Sequence, residues 1–405
     1  MSEPTGELAA PSRLMMTAGP CSLDPRVYRA MSTPLVGHND PWFAEMMVEV
    51  QALLRRAFQT QNRVTFPISA SGSGGIEAAM INPLEPGDHA LICVNGTFSE
   101  RMATIASRVA GTTIHRVEAP LGRVVDAEDV RRTAKGKKLK FIGFCHGETS
   151  TGVLSPIEPF RKVADEAGTM LVVDAVATLC GTPLDVDRQR IDLCFSGSQK
   201  AINAAPGMAP ITIGPRMEEA LRARRTPVQS WYFDLTRTID HWGKEKRIYQ
   251  NTPAISLIVG LLEALHIVFE EGLEARWQRH RQNQLALVAG LEALGMELFV
   301  PNAKDRLPTV TSVHVPKGVD DARVRGQLLS DFGIEIAGGI GSLRGKIWRV
   351  GLMGYVSQAK HLLSFLGALE RVLLDQGLRI TRGAAVEAAS RLCDHSEAVT
   401  VGPRR

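Results

Sequence analysis

Three short apolar runs, Ala90-Leu-Ile-Cys-Val94, Phe141-Ile-Gly-Phe-Cys145 and Met170-Leu-Val-Val-Asp174, constrain the fold of this 405-residue sequence more than any other feature. None of them alternates apolar with polar residues, so a strand made from any of them is buried on both faces. The first two are each followed by a loop and a helical pattern, over 98–110 and 157–167. Strands covered on both faces and interleaved with helices imply an α/β domain around a mainly parallel sheet. Ahead of them, Phe43, Met46, Met47, Val50, Leu53, Leu54 and Ala57 fall on one face of an amphipathic helix over 42–58.

Downstream the pattern changes. Thr252-Pro253 predicts an N-cap with Pro at the first helical position, opening a helix that runs to about Glu271. A second helix over 273–294 can link two domains. From Thr309 onward come a strand over 310–315, a helix over 321–332, a strand over 346–352 and a helix over 358–374, which together make a compact α+β domain. From Arg382 the sequence predicts a short helix through Ala388 and then a frayed polar tail. The expected organisation is an N-terminal arm over 1–22, a large domain over 23–285, a small C-terminal domain over 286–380, and a C-terminal helix and tail over 381–405.

Composition excludes several classes of function. Hydrophobic residues at 44% and charged residues at 22% are ordinary for a globular protein, which excludes general disorder and fibrous repeats. A formal charge of +4 that is not gathered into a basic block gives no reason to expect nucleic acid. The most apolar stretch, 256–269, is interrupted by Glu263 and His266 and is too short to span a bilayer, so no membrane crossing is expected. The N-terminus has no basic segment leading into an apolar run, so no signal peptide is expected. Cys21, Cys93, Cys145, Cys180, Cys194 and Cys393 are scattered, without a CxxC pair or zinc spacing. They read as free thiols in a reducing, cytoplasmic compartment, and no metal site is expected.

The chemistry is concentrated in three places. In Asp192-Leu-Cys-Phe-Ser-Gly-Ser-Gln-Lys200 an apolar strand runs into small polar residues and a lysine at its end. Alone, such a lysine could be an ordinary surface residue. Asp174, however, stands 26 residues earlier at the end of a buried strand, where a carboxylate is costly without a cationic partner. Upstream, Ser71-Gly72-Ser73-Gly74-Gly75 opens a helix, where free backbone N–H groups favour a phosphate. That loop lacks both the GxGxxG register of a dinucleotide fold and the GK[ST] ending of a P-loop. A phosphate cradle, a strand-end acid and a strand-end lysine are the anchors that pyridoxal 5′-phosphate (PLP) needs for its phosphate, its ring nitrogen and its aldehyde carbon.

With these residues in view, the chain resembles the class V, fold-type I PLP enzymes of the alanine–glyoxylate and serine–glyoxylate aminotransferase group. The resemblance runs from Gly19-Pro20 to about Leu374, through Asn95-Gly96, the stretch from His146 to Val153, Ser196-Gly-Ser-Gln-Lys200, Ala205-Pro-Gly207, Thr252-Pro253 and Trp348-Arg349. It implies that Lys200 bonds the cofactor aldehyde and carries the proton at Cα, and that Asp174 keeps the ring nitrogen protonated. Val176 and Phe98 would pack on the two ring faces; many relatives have Trp at the Phe98 position. Thr149 would lie near the ring oxygen. Ser73, Gly74, Gly75 and Gln199 would hold the phosphate, and Tyr249 and Thr252 would reach it from a neighbouring subunit, making a homodimer with shared active sites. Arg349 would grip the substrate carboxylate, a task that suits its planar fork, with the Gly19 backbone beside it. His38 is either a donor in the substrate pocket or a loop residue. His146 reads as a structural hydrogen-bonding group, because Lys200 already fills the role of base.

The implied reaction moves the amino group of a small amino acid, alanine or serine, to a 2-oxo acid, glyoxylate or pyruvate. The two ends of the chain also resemble the ureidoglycine–glyoxylate branch, although the loop Gly37-His38-Asn39-Asp40 and Tyr249 depart from that branch's pattern. A desulfurase is disfavoured because residues 300–380 contain no cysteine. Pyridoxamine–pyruvate transamination is disfavoured by the full phosphate cradle.

Overall fold

The computed structural model describes residues 10–243 and 251–397. Its centre is a seven-stranded sheet whose order in space is Val64–Ile68, Ala209–Ile213, Leu193–Phe195, Met170–Asp174, Leu139–Cys145, His89–Val94 and Thr113–Glu118. Ala209–Ile213 runs antiparallel to both its neighbours, and the remaining pairs are parallel. Every residue of Met170–Asp174 is buried, because helices cover both faces of the sheet. Such a strand has no polar side, which explains why its sequence does not alternate.

The register sets the site. Cys145 pairs with Asp174, and Asp174 pairs with Phe195, so three strands end in one row. The loops that follow carry residues 146–149, 175–178 and 196–200 off the carboxyl edge of the sheet, which is where open α/β folds bind their ligands.

The helix read over 42–58 is Pro41–Phe58, with Pro41 at its first position and the Asp40 carboxylate accepting from the Trp42 N–H at 2.9 Å. Three elements depart from expectation. The helix after His89–Val94 is only Thr97–Ala106, because the chain turns there and the Thr112 hydroxyl takes the Val109 carbonyl at 2.8 Å. Thr252 does not cap a helix: Ile255–Glu271 begins three residues later, at the first residue the core buries, with Ala254 as N-cap. The C-terminal helix is also longer than expected, Ala384–Glu397, since Ala385, Ala389 and Cys393 are spaced four apart and bury one face.

Two hydrophobic cores form. One fills the large sheet and its helices, from Leu23 to Leu273. The other joins residues from Ala286 onward to Met16, Ala18 and Cys21. The stretch read as an N-terminal arm is thus built into the small domain's core, and Leu14–Met15 pairs in parallel with Ile334–Glu335. The small sheet has the order Val310–His314, Ile347–Gly351, Ala337–Gly338, all antiparallel. Among the described residues no helix is long and apolar enough to cross a membrane.

Candidate active site

A cavity of about 180 Å³ opens at the carboxyl edge of the large sheet. Asp174, Val176 and Ala177 form one wall, Gln199 and Lys200 another, and Cys145, Gly147 and Thr149 a third; Gly72, Ser73, Ile76, Phe98 and Gly19 close it. The structure therefore brings Lys200, Asp174, Ser73, Phe98, Thr149, Val176, Gln199 and Gly19 together, although they come from six separate stretches of the sequence.

Lys200 is 6% exposed. Burial pulls its amine down from 10.5 to about 8, with the nearby Arg349 cation acting in the same direction and Cys21 and Asp174 opposing it. Lys200 Nζ donates to the Ala18 carbonyl. The backbone can approach this closely because residue 19 is glycine. Its φ is +95°, and a Cβ there would lie 2.4 Å from Lys200 Cδ and 2.6 Å from Nζ.

Asp174 is almost fully buried, and desolvation raises its carboxyl from 3.8 to about 7. The Val176 N–H donates to its Oδ1 at 2.8 Å, and the Cys145 thiol is a further hydrogen-bond partner. A carboxyl buried so deeply in a cavity wall fits a ligand that brings its own positive charge, such as a protonated pyridine nitrogen. At the other pole, Gln199 Oε1 is buried without a partner, and the same amide turned over presents its NH₂ as a donor to a phosphate oxygen. PLP fits both poles.

Of the residues expected to hold a phosphate, Ser73 and Gln199 line the cavity, and Gly74 and Gly75 do not. The Gly74 and Gly75 N–H groups both donate to the Ser71 carbonyl, at 2.9 and 3.1 Å, and neither residue lines the cavity. A Cβ on Gly74 would face Ala70 and Phe233, and one on Gly75 would face Ala209. Gly72 and Ser73, the first two residues of the helix Gly72–Ile81, form the wall instead.

Glu148 lies in the stretch from His146 to Val153, and the structure gives it a role. Fully buried, it accepts from the Phe98 and Ser99 N–H groups at 3.1 and 3.0 Å through Oε2, and from the Ser150 hydroxyl at 2.6 Å through Oε1. It caps the helix that carries Phe98 and so holds that ring at the cavity. His146 Nδ1 is 3.0 Å from the Thr178 hydroxyl, and burial lowers the imidazole to about 4, which keeps it neutral. That is the behaviour of a structural group.

Arg349 does not line the cavity but stands behind Thr149. Its Nε donates to the Gly338 carbonyl at 2.8 Å and its Nη1 to the Thr149 carbonyl at 3.1 Å. Burial lowers the guanidinium to about 10, so it remains charged at neutral pH. His38, in the turn before Pro41–Phe58, and Thr252 are not in the wall of their own chain's cavity. Tyr249 lies outside the described residues.

The family described as aminotransferase class-V matches residues 36–358. The chain is 40% identical to the (S)-ureidoglycine–glyoxylate transaminase of Bacillus subtilis over 401 residues, 95% of this chain and 96% of that one. It is 38% identical to the alanine–glyoxylate aminotransferase of Callithrix jacchus, over 86% of this chain and 84% of that one. The crystal structure of the ureidoglycine–glyoxylate aminotransferase from Bacillus subtilis superposes with a TM-score of 0.93, at 42% identity, covering 96% of this chain and all of that one. Together with the lysine, the acid and the Gly72–Ser73 helix start gathered at one sheet edge, these similarities establish that the chain belongs to the class V aminotransferases, enzymes of the PLP-dependent fold type I.

Proposed function

We propose that this enzyme transfers the amino group of a small L-amino acid, alanine or serine, to glyoxylate, with pyruvate as the alternative acceptor, in two half-reactions at one site. The observation that carries this reading is the cavity's charge inventory. Among the described residues in its wall Lys200 is the one cation, and Arg349 stands just behind it. That arrangement offers one carboxylate a partner and gives a side-chain carboxylate none.

Bound in this cavity, PLP supplies the electron sink for the pair released at Cα. The protein's residues do the rest. Lowered to about 8, Lys200 has a substantial neutral fraction near neutral pH, so its amine can bond the aldehyde carbon and, once released, move the proton at Cα. Asp174 holds the proton on the ring nitrogen. Val176 and Phe98 confine the ring, and Glu148 fixes Phe98 in turn. Arg349 takes the substrate carboxylate, with its orientation set by the Gly338 and Thr149 carbonyls.

A second donor, (S)-ureidoglycine, is favoured by the 40% identity that runs over 401 residues to the B. subtilis transaminase. The working unit is proposed to be a homodimer with shared sites, in which Tyr249, Thr252 and His38 serve the cavity of the other copy. Leu35, Trp42 and Val48, apolar and exposed in the single chain around the start of Pro41–Phe58, support a second copy there. A cytoplasmic location is proposed from the six cysteines, none of which forms a disulfide among the described residues.

The test is the visible absorption of the PLP-loaded protein, recorded alone, after L-alanine, L-serine or (S)-ureidoglycine, and again after glyoxylate. Loss of the band with alanine or serine and its return with glyoxylate is the expected outcome. A response confined to ureidoglycine would replace the donor, and a band restored by pyruvate alone would replace the acceptor.

A further inference from the structure

The phosphate end of the cavity has no cation in its described wall. The charged side chains there are Asp174 and Lys200, and both are committed to the ring nitrogen and the aldehyde carbon. A phosphate monoester carries close to two negative charges at neutral pH. Arg101 stands directly behind this pole. It follows Phe98 by three residues in the helix Thr97–Ala106, so the two share a face. Its guanidinium carbon lies 5.1 Å from the centroid of the Phe98 ring, and its Nη1 donates to Ser73 Oγ at 2.6 Å. Ser73 and Phe98 both line the cavity.

We propose that Arg101 is a positioning residue for the cofactor phosphate, acting through the Ser73 hydroxyl. A serine hydroxyl has one proton and two lone pairs. With a lone pair of Ser73 occupied by the guanidinium N–H, the hydroxyl proton is left to donate into the cavity. A charged donor also polarises the hydroxyl and makes it the stronger donor. Arg101 thus places a fixed positive charge one hydroxyl away from whatever Ser73 holds. The inference rests on PLP as the cofactor and is independent of which amino acid is the donor.

The test compares PLP with pyridoxal, which lacks the phosphate. Cofactor-free wild type, Arg101→Met, Ser73→Ala and the double variant are titrated with each compound, and binding is read from the absorption band of the bound form. Arg101→Met should weaken PLP roughly tenfold, the effect of removing one charge near a dianion at a solvent-facing site, and change pyridoxal by less than about twofold, a ratio treated as no effect. Ser73→Ala should show the same selectivity, and Arg101→Met added to it should cost at most a further factor of about two, because the two act through one bond. Equal weakening of PLP and pyridoxal in Arg101→Met, or full additivity in the double variant, would overturn the proposal. Ser73→Ala leaves the packing on Phe98 intact, so its selectivity and the double variant bear on the proposal even where Arg101→Met disturbs the helix. A wild-type protein that bound PLP no better than pyridoxal would instead remove the cofactor assignment, and the proposal with it.

Discussion

Replacing Gly19 with alanine should disable the enzyme while leaving it folded. The backbone at Gly19 is left-handed, with φ +95°, a conformation that costs an L-residue about 1–2 kcal/mol. The added Cβ would stand 2.4 Å from Lys200 Cδ, 2.6 Å from Nζ and 2.8 Å from Cε. Ordinary carbon contacts begin near ~3.5 Å, so the end of the Lys200 side chain must retreat by about 1 Å. That retreat pulls Nζ off the Ala18 carbonyl that seats it. The clash falls on the far end of a flexible side chain, so the total loss of stability should stay near 2–4 kcal/mol, typical of a strained, overpacked site. A displacement of ~1 Å in a reacting group costs about 10²-fold in rate. Denaturant unfolding of the cofactor-free form would measure the first quantity, and kcat of the PLP-loaded enzyme the second. A Gly19→Ala enzyme that loaded PLP and kept kcat within about twofold, short of any resolved barrier change, would show that the seat of Lys200 does not depend on the Gly19 approach.

Two further perturbations follow from buried charge. The Asp174 carboxyl is raised to about 7 in the cofactor-free fold, so its ionisation opposes folding increasingly as pH rises from about 4 to about 7. Asp174→Asn should therefore raise the melting temperature of the cofactor-free protein at pH 8, by up to about 4 kcal/mol of stability, with a gap that closes toward pH 5; an unchanged or lower melting temperature at pH 8 would contradict this. Glu271 accepts from Arg276 Nη1 at 2.6 Å and Arg279 Nε at 2.5 Å, while Arg276 Nη2 donates to the Ala201 carbonyl beside Lys200 and Arg279 Nη1 to the Gly354 carbonyl of the small domain. Glu271→Gln strands the buried Arg276 and should cost about 3–5 kcal/mol at pH 7 by denaturant unfolding. Because burial opposes but these arginines outweigh it, Glu271 is held near 2, so wild-type stability from this pair should persist above pH 4.5 and fall as pH drops toward 2. A loss below about 1 kcal/mol, as for an exposed pair, would show that the cluster does not hold the two domains.

The centre of the sheet was legible in the sequence because double-sided burial removes alternation, and Met170–Asp174 shows this most plainly. Its margins were not. Thr113–Glu118 is an edge strand with exposed and half-exposed residues, so it carries no apolar run. Val64–Ile68 and Ala209–Ile213 each contain a proline, which argues against a strand when read alone; in the fold Pro67 lies in the other edge strand and stands opposite Pro210 of its inner neighbour. Within the site, Lys200 and Asp174 stood out because a charge at the end of a buried strand needs a reason, and Arg349 was reached through resemblance. That Gly72 lines the cavity while Gly74 and Gly75 do not is not legible in the sequence, because which N–H groups are free depends on the turn bonds to Ser71, and glycine identity does not reveal those. The role of Glu148 was invisible because its partners Phe98 and Ser99 lie about 50 residues upstream and meet it only once the sheet has formed.

The most direct measurement is to load the protein with PLP, reduce it with borohydride, digest it and locate the modified residue by mass spectrometry. The cofactor should be found on Lys200 alone, since that amine is buried in the cavity and lowered to about 8. Label on another lysine, or none at all on a protein that turns yellow with PLP, would contradict the placement of the reaction at the Lys200–Asp174 cavity.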